Sequence, residues 1–416
     1  MTDRLVRRFV LAVLARLAHG QLTVLDDGRR HCFGSGAPRA VLRVRAPRFW
    51  RSMLRGSRGL STAYADGLWE SPDVTALVRL AAINMPAVDR LRRLLLPPRA
   101  VWLAVTGRLR RNTRRRSRRD ISAHYDLGNK LFELMLDPTM MYSSAVFEHP
   151  DMTLAQASEA KLERICRRLG LSPADHVLEI GTGWGGFALY AAGRFGCRVT
   201  TTTISQEQHA FAQERVRAAG LEDRVTVLLE DYRDLRGSYD KLVSIEMIEA
   251  VGWRDFDTFF ACCAQLLTPE GAMLLQAITI DDRAYEVEKA SRSFANTVIF
   301  PGGCLPSMEV ISRSVARHTD LRPIFVEDLS PHYVETLRHW RRRFVANREG
   351  LKALGYDERF RRLWTLYLAY SEGGFAERRI QSVQVTLAKP SFRAERVSAL
   401  SPLTDHAHDP VALASV

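Results

Sequence analysis

From His124 to about Lys389, short apolar runs alternate with segments of helical periodicity. HVLEI, CRVTTTTI, RVTVLLE, DKLVSI and AMLLQAITI are brief and rich in β-branched residues, as buried strands are. Between them, WGGFALYAAGRF, EQHAFAQERVRAAG and DFDTFFACCAQLL carry apolar residues at helical spacing. Regular strand–helix alternation predicts a parallel α/β sheet. Residues 281 to about 375 read as largely helical, with a strand at LRPIFVEDL, and SVQVTLAK supplies a last strand completing the far edge of the sheet.

The first 107 residues mix helical patterns with a strand pair in GQLTVLDDGRRHCFG. Leu5, Phe9, Val13 and Leu17 recur at helical spacing, which predicts an amphipathic first helix. A signal peptide fits less well, because the apolar stretch is brief and Arg16 interrupts it. Between the two halves lies a linker, residues 108–120, crowded with Arg108, Arg110, Arg111, Arg114, Arg115, Arg116, Arg118 and Arg119. The expected organisation is therefore an N-terminal α+β domain at 1–107, the arginine linker, an α/β domain at 121–390 and a disordered tail at 391–416.

A chain of 416 residues with 46% hydrophobic content supports two such cores. Its net charge of +13 seeks anions. The linker has no interleaved aromatic residues, which argues against a single-strand nucleic-acid platform; it fits an anionic phospholipid surface, and a merely solvated linker is the alternative. Peripheral attachment at the cytoplasmic membrane face follows, with no nucleic acid as partner; a homodimer stays open. The six cysteines are scattered, with no CxxC pair and no histidine cluster, so reduced thiols and no metal are expected.

Candidate chemistry enters at HVLEIGTGWGGFALYAA, where Gly181, Gly183 and Gly185 lie between a strand and a helix. Glycines there permit a tight turn and bare backbone against a ligand. Nicotinamide enzymes share this device, but they end the second strand in an acidic residue that holds the ribose. Here that strand ends in Thr203, Ile204 and Ser205, while Glu179 precedes the turn, where its carboxylate could meet a cationic ammonium group.

The chain resembles the cyclopropane fatty acid synthases and related unsaturated-lipid methyltransferases. The likeness rests on HYDLGN (124–129), LDPTMMYSSAVF (136–147), EIGTGWGG (179–186), TISQEQ (203–208), DYRDL (231–235), SIEMIEAVG (244–252), IFPGGCLPS (299–307) and YLAYSEGGF (367–375). It implies a Rossmann-like class I S-adenosylmethionine methyltransferase core, a mostly parallel seven-stranded sheet with a helical cap, and a lipid-binding-like N-terminal domain at 1–107. Tyr142 and Ser143 would meet the methionine end of S-adenosylmethionine alongside Gly181, Gly183 and Trp184. Thr203 and Gln208 would bond the ribose, and Asp231 and Tyr232 would lie beside the adenine. His124 and Tyr125 would form part of a lid, although a helix start built on Asp126 and Asn129 would serve structure as well. Trp340, Tyr367 and Tyr370 would be core or acyl-channel lining.

The implied reaction is methylation of an acyl-chain double bond in a phospholipid, with a cyclopropane fatty acid as product. The alternatives are a methylene- or methyl-branched chain formed from the same cation, or a non-catalytic lipid-binding relative. The cation must lose a proton to a nearby base. In the family that base is a bicarbonate ion; its ligands here would be Ser144 in place of Cys, Glu249, Gln276 in place of His, Ile278 and Tyr333. Glu246 stands where the family carries a small residue, three positions before Glu249, which predicts the two carboxylates on one helical face. Close carboxylates raise each other's proton affinity, so Glu246 is expected to replace the bicarbonate, the alternative being a solvated glutamate at a helix start.

Overall fold

A computed structural model describes residues 3–94, 127–289 and 291–393. The arginine linker, His124 to Asp126 of the HYDLGN motif and the tail from 394 lie outside the described residues.

The N-terminal part begins with α1 (Asp3–Leu14) and the strands β1 (Gly20–Asp26), β2 (Arg29–Ser35) and β3 (Arg39–Val44). Then come α2 (Arg48–Met53), α3 (Gly56–Ala65), β4 (Trp69–Glu70) and the long α4 (Val74–Leu94). The expected strand pair is β1–β2, joined by a two-residue turn at Asp27 and Gly28, both with positive φ. β3 and β4 extend it to a four-stranded sheet ordered β2-β1-β3-β4. Alternate residues of β1 are buried, so one face packs inward. α1 turns Val6 and Val10 toward that core. The stripe that marked this helix in the sequence, Leu5, Phe9 and Val13, points outward instead.

The second sheet contains β5 (His176–Ile180), β6 (Arg198–Thr202), β7 (Val225–Leu228), β8 (Tyr239–Ile245), β9 (Leu267–Ile280), β10 (Arg322–Asp328) and β11 (Ile380–Ala388). Their spatial order is β10-β11-β9-β8-β5-β6-β7. β11 runs antiparallel between β9 and β10, and the pairs from β9 to β7 are parallel. Every strand matches an apolar run read from the sequence; the central strands are covered on both faces and read as near-continuous hydrophobic segments, whereas the edge strand β10 is largely exposed. The order reverses at β5, whose neighbours are β6 and β8; a doubly wound sheet opens a crevice beyond the strand ends at such a point.

The two parts pack together through α4 and the helix Glu358–Ala376. Gly373 allows the close approach, since a Cβ there would lie 2.7 Å from Val78. The buried Glu372 carboxylate binds Arg338, Arg341 and the Thr75 hydroxyl. Buried Asp89 of α4 pairs with Arg379 at 2.5 Å. The YLAYSEGGF motif thus joins the two parts as well as lining the interior. No helix among the described residues is long and apolar enough to cross a membrane.

Candidate active site

A cleft opens at the reversal point, over the C-terminal ends of β5, β6 and β8. Its floor is the glycine turn after β5. Gly181 and Thr182 donate their backbone N–H groups to the Thr202 carbonyl, which locks the turn against β6. Gly183 has φ +52°, lines the cleft, and a Cβ built on it would meet nothing within 4 Å, so the space above it is open. At Gly181 a Cβ would press on Met247 at 3.1 Å. Glu179 is buried, accepts the Thr201 hydroxyl at 2.6 Å and lines the cleft. Burial pushes its carboxyl up to about 8, so a cationic ligand group would relieve the cost of ionising it.

The other residues expected at the cofactor also line this cleft: Tyr142, Ser143, Trp184, Thr203, Gln208, Asp231 and Tyr232. Thr203 donates to the Gln208 side-chain oxygen at 3.1 Å, so the two groups sit together at the end of β6. Asp231 is gripped by the Arg233 guanidinium at 2.6 Å. Tyr232 packs edge-on against Phe259. Trp184 is nearly fully buried; its indole N–H donates to Asn129 at 2.7 Å and its ring packs on Phe132. Asn129 is therefore anchored to the glycine turn, and Gly128 occupies the cap position of the short helix Asn129–Glu133. Tyr142 shares a hydrogen bond with Tyr367 at 2.8 Å and packs against Trp340, which puts both of those aromatics in the wall behind it.

At the far end of the cleft the residues expected around an anion converge on Glu246. Its Oε1 accepts the Ser144 backbone N–H at 3.0 Å and the Gln276 amide at 2.9 Å. Its Oε2 accepts the Tyr333 hydroxyl at 2.6 Å. Gln276 is oriented in turn by Gln384, 3.0 Å away, and Tyr333 stacks on Phe375. The Ile278 N–H donates to Glu249 Oε1 at 2.5 Å, and Glu249 Oε2 is buried with no hydrogen-bond partner.

One expectation is corrected here. Glu246 and Glu249 do not share a helical face: Glu246 follows β8 with φ +50°, and the 3₁₀ turn Ile248–Ala250 begins only afterwards. The backbone is held in this uncommon conformation by the Glu246 N–H to the Gln276 carbonyl at 2.8 Å. Ser144 contributes its backbone, not its hydroxyl, which turns away to the Ala145 carbonyl. The IFPGGCLPS motif also finds a role, as the Cys304 N–H donates to the Glu249 carbonyl at 2.8 Å and steadies the turn.

Burial raises the proton affinity of Glu246, opposed by the Tyr333, Ser144 and Gln276 donors and by the positive charge of Lys161. Glu249 is pushed up to about 8, first by burial and then by the charge on Glu246. Lys161 is the residue the sequence reading missed. It is fully buried on the helix Leu154–Leu169, donates to Ser143 Oγ at 2.8 Å, and falls to about 8 through burial, opposed by Glu246, Asp137 and Glu179. A lysine amid apolar neighbours, as in ASEAKLERIC, is the only signal that could have marked it.

A seven-stranded sheet of this order, with an open glycine cradle and a buried carboxylate beneath it, defines a class I S-adenosylmethionine-dependent methyltransferase. The chain belongs to the mycolic acid cyclopropane synthetase family, whose model matches residues 112–385. It is 39% identical over 403 residues to tuberculostearic acid methyltransferase UfaA1 of Mycobacterium tuberculosis, covering 94% of this chain and 91% of that protein. It is 38% identical over 373 residues to the cyclopropane-fatty-acyl-phospholipid synthase of Escherichia coli K12, covering 88% and 92%. The solved mycolic acid cyclopropane synthase CmaA1, complexed with SAH and CTAB, superposes with a TM-score of 0.61 at 32% identity, over 65% of this chain and 98% of that one.

Proposed function

We propose that this enzyme methylates the double bond of an unsaturated acyl chain in a membrane phospholipid, forming a cyclopropane fatty acid, with Glu246 as the base. S-adenosylmethionine supplies the electrophilic methyl. Glu179 and the backbone of Gly181 and Gly183 would hold its methionine end, Thr203 and Gln208 its ribose, and Asp231 and Tyr232 its adenine. Buried walls exclude water, which would otherwise trap the cation left on the acyl chain after the alkene takes the methyl. A proton lost from the new methyl closes the ring, and the Glu246 carboxylate accepts it. The observation that carries this reading is the convergence of Ser144, Gln276 and Tyr333 on Glu246, where bicarbonate ligands were expected. A second anion there would be repelled by Glu246 in a poorly screened interior.

A second reading, proton loss from a neighbouring acyl carbon to give a methylene branch, gains support from the same substitution. A tethered base need not approach the acyl chain as a free ion does, and a relative named as a methyltransferase, not as a cyclopropane synthase, matches nearly the whole chain. We place the enzyme in the cytoplasm, at the inner membrane face. The test is to express the protein in cells with unsaturated phospholipids and analyse their acyl chains. Chains heavier by one methylene group are expected, with proton NMR separating ring from branch. Unmodified chains, despite a folded protein that binds cofactor, would overturn the proposal.

A further inference from the structure

α1 has one broad apolar face, and only part of it is covered. Val6 and Val10 face the N-terminal core. On the flank beside them Leu5, Phe9 and Val13 are 54%, 58% and 53% exposed, one turn apart along the helix. A contiguous stripe of large apolar residues on a surface helix is uncommon in a protein that touches only water. The arginines mark what it meets. Arg4 and Arg8 are exposed and flank the stripe on one side, and Arg16 follows the helix end. α2 packs alongside, tied to the start of α1 by Arg51 and Asp3 at 2.5 Å. Arg7, by contrast, turns inward to pair with Asp26.

We infer that the outer face of α1, Leu5, Phe9 and Val13 with Arg4 and Arg8, is the surface that docks this enzyme on an anionic phospholipid bilayer. This rests on the lipid reading of the active site and names the element that reaches the substrate. Apolar side chains of such a helix enter the acyl boundary while guanidinium groups stay at the level of the phosphates, so that α1 lies in the membrane plane. The net charge of +13 draws the whole molecule to the same surface. A protein partner would also cover the stripe, but the arginine border and the overall charge favour a lipid surface.

The test uses the full chain and vesicles of equimolar phosphatidylglycerol and phosphatidylethanolamine with unsaturated chains. The variant Leu5→Gln, Phe9→Gln, Val13→Gln changes only exposed positions. Its partition onto vesicles in a flotation assay should fall by about tenfold or more. Methyl transfer to detergent-dispersed phospholipid should stay at the wild-type rate. Arg4→Gln with Arg8→Gln should lose less, and its loss should vanish on pure phosphatidylcholine vesicles or in high salt. Wild-type flotation by the triple variant would overturn the proposal. So would unchanged flotation joined to a shift from dimer to monomer, which would make the stripe a contact between copies. Flotation does not depend on turnover, so a failure of the catalytic reading would appear separately, as a wild type that binds vesicles and modifies no lipid.

Discussion

The two ends of the cleft are built on opposite plans. At the cofactor end, the floor is bare backbone at Gly183 and the polar groups stand around open space. At the base end the space is filled: Glu246 already holds the Ser144, Gln276 and Tyr333 donors, and Gln384 fixes Gln276 behind them. One end is shaped for something that arrives and leaves, the other is complete in the protein itself. A base carried on a side chain is always present, at the cost of keeping a carboxylate charged in a buried site. Lys161 offsets that cost, as the buried cation that favours the ionised form of Glu246.

The largest expected effect comes from breaking the filled end. Glu246→Gln keeps the shape and, with its oxygen in the Oε1 place, the Ser144 and Gln276 hydrogen bonds, but cannot accept the proton, so kcat should fall by about 100-fold or more. S-adenosylmethionine affinity, measured by calorimetry, should stay within a few-fold of wild type. Equal losses in both would mean that Glu246 supports the fold of the whole cleft.

Breaking the open end should have the reverse signature. Gly183→Val places a branched side chain in the ligand space and at positive φ. No protein atom opposes the new Cβ, but a β-branched residue at positive φ is strained, so folding is checked by circular dichroism; cofactor affinity of the folded variant should fall by about tenfold or more. Near-normal calorimetric binding would count against this cradle.

A smaller effect sharpens the link between the ends. Lys161→Met removes the positive charge that opposes protonation of Glu246. The carboxylate should then titrate at higher pH, moving the acid limb of the kcat profile upward. If Lys161 only packs, stability will drop and the limb will stay in place.

The smallest effect concerns stability. Glu179 and Glu249 rise from the ordinary 4.5 to about 8 in the folded chain. Between those values the folded state binds more protons than the unfolded one, so stability should fall as pH rises from about 4.5 to 8. Chemical denaturation across that range should show the slope, and Glu179→Gln should flatten it. A slope of the opposite sign would mean that these carboxyls are ionised in the folded chain.

Much of this was legible in the sequence for physical reasons. The buried strands announced themselves as apolar runs, and the glycine turn was legible because few other residues tolerate positive φ. Glu246 could be singled out by its identity, but not its geometry: a non-glycine residue at φ +50° interrupts the helical spacing that placed it beside Glu249. Lys161 was silent because lysines are ordinarily solvated, and only the folded chain removes it from water. On α1 the helical period was plain, yet Leu5, Phe9, Val13 and the inward pair Val6 and Val10 are all apolar, so periodicity could not say which face was core.

The central claim is that the base belongs to the protein. Turnover of the wild type in degassed, carbonate-free buffer, compared with the same buffer after bicarbonate is restored, tests it most directly. If Glu246 holds the place of the ion, the two rates will be equal. A rate that falls on carbonate removal and recovers on addition would contradict the account and return the reaction to an exchangeable anion.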